Sequence, residues 1–319
     1  MTLPLSKIES LKHLITHAHC PDGTMSAMLL AHFFPDLTVT YVQYGSEEHR
    51  NLEVLPYTIF CDFSPHPDQV EDFVRAEAVV LDHHKTAESI VARFGDLGVY
   101  GDEDSEPGVC GAVLALREIC VPLFRKFLPD HEPRSYFLFR ALENYAVLAG
   151  IRDTWQRSHP RWREACEQAS AIGFWPNEDL VGRPPEEWKS KFEIGKILFQ
   201  KKLNSAERCG NDAYRFLSQK GTRVAIFQNS RMASDTAEYL DTEADLVIGF
   251  DVAVRDGEPT MVFSARSHTF YDCGKLAKAH GGGGHTKAAG FRRLLRSQDP
   301  QPFELLKKLV DDYEAGNDR

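Results

Sequence analysis

The first half of the chain alternates short, unbroken apolar runs with longer stretches of helical spacing. Segments 14–17, 38–44, 57–61 and 78–81 are rich in aliphatic, aromatic or β-branched residues, and the last shows no polar alternation. Runs of this kind predict strands buried on both faces, as in a parallel sheet. Segments 26–34 and 67–75 carry helical spacing and separate them. Strands alternating with helices at this interval predict right-handed crossovers.

Further helices are expected over 107–127, 134–148 and 161–174, followed by one long amphipathic helix over 188–209. The pattern changes after Asn211-Asp212. Segments 214–218, 224–228, 246–254 and 261–265 read as strands, and 234–240, 275–280 and 303–313 as helices. Segment 287–291 reads as either a helix start or a strand. The expected fold class is therefore α/β, with a parallel-sheet domain (1–186), a connecting helix (187–211) and a smaller mixed α/β domain (212–319).

Composition narrows the class. A chain of 319 residues is about two domains long. Its net charge of −10 argues against coating long duplex nucleic acid, while leaving room for a small anion in a locally positive or metal-bearing pocket. Seven cysteines are scattered singly with no CxxC pair, which points to reduced thiols and a cytoplasmic location. No secretory pattern opens the chain, and no apolar run approaches the ~18 residues of a membrane span. A soluble protein without a membrane partner is expected.

The chemistry lies where the strands stop. The first strand runs into His17-Ala18-His19-Cys20-Pro21-Asp22-Gly23, read as a turn, the third into Asp62, and the fourth into Asp82-His83-His84-Lys85. Asp153 follows the helix over 134–148, just past its end. Each acid alone reads as a cap or turn former. Several at successive carboxyl ends of parallel strands, where α/β sheets bind ligands, argue for convergence. His17, Asp22, Asp62, His83 and Asp153, with His84 nearby, suit Mn²⁺ or Mg²⁺ better than structural zinc. Clustered without a cation, these carboxylates would raise one another's pKa. A bound divalent ion would polarise phosphoryl oxygens and acidify water.

A second constellation is Gly281-Gly282-Gly283-Gly284-His285, with Arg266 upstream in Ser264-Ala265-Arg266-Ser267. Glycines let backbone amides approach an anion closely, and Arg266 and His285 supply donors for phosphate. A flexible linker is the bland alternative, but the run lies between a helix and an apolar segment. The lysines at 189, 191, 196, 201 and 202 read as a solvated helix face, with the border of an anion cleft as the alternative.

The set HAHCPDG (17–23), FCDFSP (60–65), LDHHKT (81–86), IRDTW (151–155) and GGGGHTKAAGF (281–291) resembles the DHH phosphoesterase family with its DHH-associated C-terminal domain. The match spans nearly the whole chain in the expected order. It implies a metal-binding catalytic domain in 1–186 and a substrate-binding domain in 212–319, facing each other across an active-site cleft. By carry-over, Asp22, Asp62, His83 and Asp153 hold one Mn²⁺, and Asp62 bridges to a second. His84 contacts phosphate, while Arg266, Gly282, Gly283, Gly284 and His285 hold the nucleotide. Mg²⁺ or Co²⁺ are alternative ions. Cys20 stands where the family has its first Asp, which leaves the second metal position to His17 with His19 or Cys20.

The implied activity is hydrolysis of short oligonucleotides or linear dinucleotides to mononucleotides by a metal-activated water, with Asp62, His83 and His84 catalytic. An oligoribonuclease or short-substrate exonuclease fits that description. Short RNA, a linear dinucleotide or a bisphosphate nucleotide would be the partner, and a homodimer is an allowed assembly. The alternatives are a 3′,5′-bisphosphate nucleotide phosphatase, a polyphosphate or pyrophosphate hydrolase, and a catalytically weakened nucleotide-binding regulator.

Overall fold

The computed structural model describes residues 3–127, 133–255, 257–284 and 286–316. The chain divides into two compact units, residues 1–199 and 200–319. In the first, the apolar runs form β1 (His13–His17), β2 (Thr38–Val42), β3 (Thr58–Cys61), β4 (Val79–Asp82) and β5 (Gly98–Tyr100). All neighbours are parallel, in the order β2-β1-β3-β4-β5. The absence of polar alternation has a direct cause: successive side chains enter different cores. Leu14, Ile59, Val79 and Leu81 pack with Ala27, Leu30 and Leu114 on one face. Ile15, Phe60 and Val80 pack with Val70, Phe73 and Val91 on the other. Each fully buried side chain of this kind stabilises the fold by about 1.5–3 kcal/mol.

The strand order reverses between β1 and β3, since the chain steps outward to β2 and then crosses back. A crevice at the carboxyl ends of such a pair is where doubly wound sheets hold ligands. β1 ends in His17 there, and β3 leads into Asp62.

Several elements differ from the sequence expectation. The helix expected over 26–34 begins earlier and spans Pro21–Phe33, so Pro21-Asp22-Gly23 form its first turn. Proline at the first helical position and an acid in the first turn both favour that start. The stretch 107–127 becomes Gly111–Ala115, a π-helical turn at Leu116–Cys120, and Val121–Phe127. The helix Pro133–Asp153 runs further than expected, so Asp153 is its last residue and does not lie beyond it. The expected continuous helix over 188–209 is two helices, Pro185–Phe192 and Ile194–Asn211. Gly195 is the second residue of the latter, and a Cβ there would lie 2.0 Å from the Glu167 carbonyl oxygen. Among the described residues no helix is long and apolar enough to cross a membrane.

The second unit carries a mixed sheet of β6 (Tyr214–Leu217), β7 (Arg223–Gln228), β8 (Leu246–Arg255), β9 (Glu258–Arg266), β10 (Gly283–Gly284) and β11 (Ala288–Leu294). The order is β10-β11-β9-β8-β7-β6, and only β7 and β8 run parallel. Helices Cys273–Ala279 and Pro302–Ala315 cover one face through Leu276, Leu306 and Val310. The helix Ala233–Tyr239 covers the other through Ala233 and Ala237. Segment 287–291, left open between helix and strand, enters β11 from Ala288 onward.

Candidate metal centre

Asp62 stands at the middle of the first unit's polar cluster. Its N–H continues the parallel ladder by donating to the Leu81 carbonyl (3.0 Å), and its φ of 57° then turns the chain out of β3. Aspartate is among the few residue types that tolerate this left-handed conformation. The two carboxylate oxygens face different partners. Oδ1 lies 3.2 Å from His83 Nε2, and Oδ2 lies 3.9 Å from His17 Nδ1. Among the described residues, three of the six non-glycine positions with positive φ, His19, Asp62 and Trp155, fall in the strand-end and helix-end loops around this cluster.

Asp22 arrives from the first turn of Pro21–Phe33 and is fully buried. Its Oδ2 accepts from the Gly111 N–H (2.6 Å) and its Oδ1 from the Ala112 N–H (2.9 Å). The carboxylate thus sits on the amino end of the helix Gly111–Ala115, where the free amides and helix dipole favour negative charge. Gly111 is required sterically: a Cβ would lie 2.4 Å from Asp62 Cβ and 2.9 Å from Asp22 Oδ2. Gly23 is equally confined, with the His17 carbonyl oxygen 2.4 Å from where a Cβ would stand.

His83 joins the group from the loop after β4. Its Nε2 is 3.2 Å from Asp62 Oδ1, 3.4 Å from Asp153 Oδ2 and 3.8 Å from Asp22 Oδ2. Its Nδ1 donates to Glu103 Oε1 at 2.7 Å. Burial works against the charged ring. The hydrogen bonds to Asp62 and Glu103 and the charges of Asp22 and Asp153 outweigh it, and the pKa rises to about 12. The acids move the same way for another reason. Burial first, then repulsion from Asp22, raises Asp62 well above the carboxylate range and Asp153 to about 6, although His83 opposes both.

Asp82 plays a separate role. Its Oδ1 accepts from the backbone N–H groups of His83 (2.8 Å) and His84 (3.1 Å) and from His84 Nδ1 (2.7 Å). Its Oδ2 accepts from Ser64 Oγ (2.5 Å) and the Tyr44 hydroxyl (2.9 Å). Burial would raise its pKa, but the bonds from His84 and Ser64 hold it below the usual value. It fixes the turn that aims the two imidazoles. Because His84 Nδ1 is engaged by Asp82, its Nε2 is the ring nitrogen left for other partners.

Three sets of ligand atoms lie within 4.8 Å of one another: Asp22, His83 and Asp153; Asp62, His83 and His84; and His17, Cys20 and Asp62. The donors fit a divalent cation. Asp62 Oδ2 and His17 Nδ1 are buried with no hydrogen-bond partner among the described residues, an expensive state that a cation would relieve. Burial, followed by the charges of Asp62, Asp153 and Asp22, pushes the Cys20 thiol well above its usual pKa, and burial first lowers that of His17. His19 is exposed and belongs to none of these sets among the described residues. Its left-handed φ of 57° accompanies a side chain that stays in solvent while Cys20 turns in.

The sequence pattern brought together His17, Asp22, Asp62, His83, His84 and Asp153, but not Glu103 or Gly111. Glu103 lies in an acidic run, Asp102-Glu103-Asp104, which reads as solvated charge. Gly111 sits inside a predicted helix, where glycine is unfavourable without a packing reason. That misfit was the available signal.

In the second unit, Arg266 donates from Nε to Ser234 Oγ (2.8 Å) and from Nη1 to Ser264 Oγ (3.0 Å) and the Ala265 carbonyl (2.8 Å). Burial lowers its pKa. The glycine run forms an edge hairpin, Gly284 pairing with Ala289 and Ala289 with Ala265. Arg266 and the hairpin therefore share one end of the sheet. Gly282 and Gly284 are glycines because β11 leaves no room, a Cβ meeting the Gly290 carbonyl oxygen at 2.2 Å and Ala289 Cα at 2.5 Å respectively. A Cβ on Gly283 would meet nothing within 4 Å. His285 lies outside the described residues.

No protein-family model and no curated protein matches the sequence. Solved structures do. An exonuclease RecJ bound to manganese superposes with a TM-score of 0.57 at 16% identity, covering 98% of this chain and 95% of that one. RecJ from Thermus thermophilus in complex with Mn²⁺ gives 0.56 at 16% identity, covering 99% of this chain and 56% of that one. The DHH domain of a protein described as belonging to a family of ribosomal proteins gives 0.57 at 10% identity, covering 97% and 88%. The resemblance noted in the strand-end motifs thus extends to the path of the backbone, and the chain carries the fold of these DHH-domain and RecJ structures.

Proposed function

We propose that this protein is a manganese-dependent phosphodiesterase acting on short oligonucleotides or linear dinucleotides. The observation that carries the reading is the two-sided environment of Asp62, a buried carboxylate with His83 on one oxygen and, facing the other, a His17 ring nitrogen that has no hydrogen-bond partner among the described residues. Asp22, Asp62, His83 and Asp153 would hold one cation, and Asp62 would share its second oxygen with another. The RecJ structures of the same fold, described as bound to manganese, support Mn²⁺ as the ion.

When bound, the cation supplies Lewis-acid polarisation of a phosphoryl oxygen and acidifies water. The chain's own groups do the rest. Asp22, pinned by two amides, and His83, pinned by Glu103, fix the ligand positions before substrate arrives. His84, oriented through Nδ1 by Asp82, presents Nε2 to a phosphate oxygen and offsets charge that develops during displacement. In the second unit, Arg266, held in shape by Ser234 and Ser264, and the exposed Gly283 face offer donors and close backbone approach to a phosphate or nucleotide. The net charge of −10 disfavours long duplex substrates.

A panel assay with Mn²⁺ tests the reading, using 5′-phosphorylated RNA of a few nucleotides, a linear dinucleotide, a 3′,5′-bisphosphate nucleotide and polyphosphate. Mononucleotide release from the first two, absent in Asp62→Ala, is the expected result. Release of orthophosphate alone from polyphosphate would replace the substrate assignment. Full activity in Asp62→Ala would remove the centre described here.

A further inference from the structure

We infer that Cys20 is a metal ligand, completing with His17 and Asp62 Oδ2 a nitrogen, sulfur and oxygen position for a borderline cation such as Zn²⁺, Co²⁺ or Fe²⁺. This deepens the metal-centre reading above and rests on it. The three ligand atoms lie within 4.8 Å of one another. Two of them, Asp62 Oδ2 and His17 Nδ1, are buried, have no hydrogen-bond partner among the described residues and face each other at 3.9 Å, beyond hydrogen-bond reach, and Asp62 as a whole is 1% exposed. An orphaned carboxylate oxygen and an orphaned imidazole nitrogen facing one thiol leave a cation as the partner that satisfies all three at once.

Cys20 is placed for the role by the backbone. It is the residue before Pro21, with extended φ and ψ of −112° and 128°, and stands at the N-cap position of the helix Pro21–Phe33 without making a side-chain capping bond. A coordinating cation deprotonates a thiol outright. His19, the other candidate in this stretch, is exposed.

The ligand types set the ion. Asp22 and Asp153 with His83 form an oxygen-rich position that suits Mn²⁺ or Mg²⁺, whereas thiolate and imidazole select softer ions. Two positions that share Asp62 therefore differ in hardness, and the centre is asymmetric, with a borderline ion on the Cys20 side and a hard ion on the Asp153 side.

The test is titration of the metal-stripped full-length protein with Co²⁺, followed by absorption. The expected result is a near-ultraviolet thiolate-to-cobalt charge-transfer band together with visible ligand-field bands. Cys20→Ser should lose the near-ultraviolet band and weaken Zn²⁺ binding by more than about tenfold, since even partners that only orient ligands are worth 10–100-fold. Cys20→Asp should bind Mn²⁺ without that band. Ligand-field bands without the charge-transfer band in the unaltered protein, or a band that survives in Cys20→Ser, would overturn the assignment while leaving the metal centre standing. Failure of the unaltered protein to bind either Co²⁺ or Mn²⁺ would remove both readings. In the unaltered chain, Zn²⁺ should also protect Cys20 from alkylation, read by mass spectrometry. Equal labelling with and without Zn²⁺ overturns the inference even where the variants do not fold.

Discussion

Glu103 accepts a 2.7 Å hydrogen bond from His83 Nδ1, and thereby decides which ring nitrogen His83 turns toward the three aspartates. A carboxylate behind an imidazole fixes its tautomer and raises its basicity. Glu103→Ala should weaken Mn²⁺ binding by about 10–100-fold. Calorimetry on the metal-stripped protein measures this directly, and unchanged affinity would reduce the contact to a surface ion pair.

Gly111→Ala tests the steric seat beneath the two aspartates. The added carbon would stand 2.4 Å from Asp62 Cβ, so the backbone must move. Overpacking of this kind costs about 1–3 kcal/mol. Both the urea midpoint and Mn²⁺ affinity should fall. A variant with unaltered affinity would show that the aspartates hold their places without this close approach.

Cation binding should stabilise the fold, because the buried acids repel one another without it. At a hundredfold excess over Kd the gain is about 2.7 kcal/mol. The unfolding temperature should therefore rise with Mn²⁺ concentration, and Asp62→Ala should flatten that dependence. A rise of equal size in the variant would point to binding elsewhere.

Arg266→Ala should raise KM for a short nucleotide substrate by roughly tenfold or more while sparing kcat, since it removes binding and not the displaced bond. Steady-state kinetics separates the two. A fall in kcat at constant KM would move Arg266 from binding to chemistry.

The second unit offers a pH-dependent contact far in sequence from the metal ligands. Asp245 accepts from Arg223 Nε (3.0 Å), Nη2 (2.7 Å) and backbone N–H (3.0 Å), and the Arg223 side chain holds its pKa below the usual value although burial opposes this. A depressed carboxylate pKa stabilises the fold above the unfolded value of about 3.9 and loses that contribution as pH falls through the folded value. Asp245→Asn should thus be less stable than the parent at pH 7, with the gap closing in acid. Urea unfolding across that range reads it, and a gap independent of pH would contradict the ion pair.

The residues that could be read ahead of the structure were those whose position in the chain already restricts them in space. His17, Asp62 and His83 follow apolar runs, and adjacent parallel strands bring their ends together whatever the loops do. Asp153 was recognisable as a site acid, but its helix was drawn too short, because Ala149-Gly150 imitates a stop. Gly150 instead permits close packing, a Cβ there lying 2.1 Å from the Gly108 carbonyl oxygen. Glu103 and Gly111 carried no periodic signature, since their importance depends on contacts made across the fold. The short strand β5 was missed for a related reason, its three residues being too few to show a pattern.

His19, Asp62 and Trp155 hold left-handed backbone conformations that glycine adopts freely and most other residues avoid. A programme that hardened this protein against heat by easing unfavourable torsions would be drawn to these same positions. Relaxing Asp62 in this way would swing the carboxylate that faces both His83 and His17, so endurance gained at that one turn would be set against the geometry of the cluster it serves.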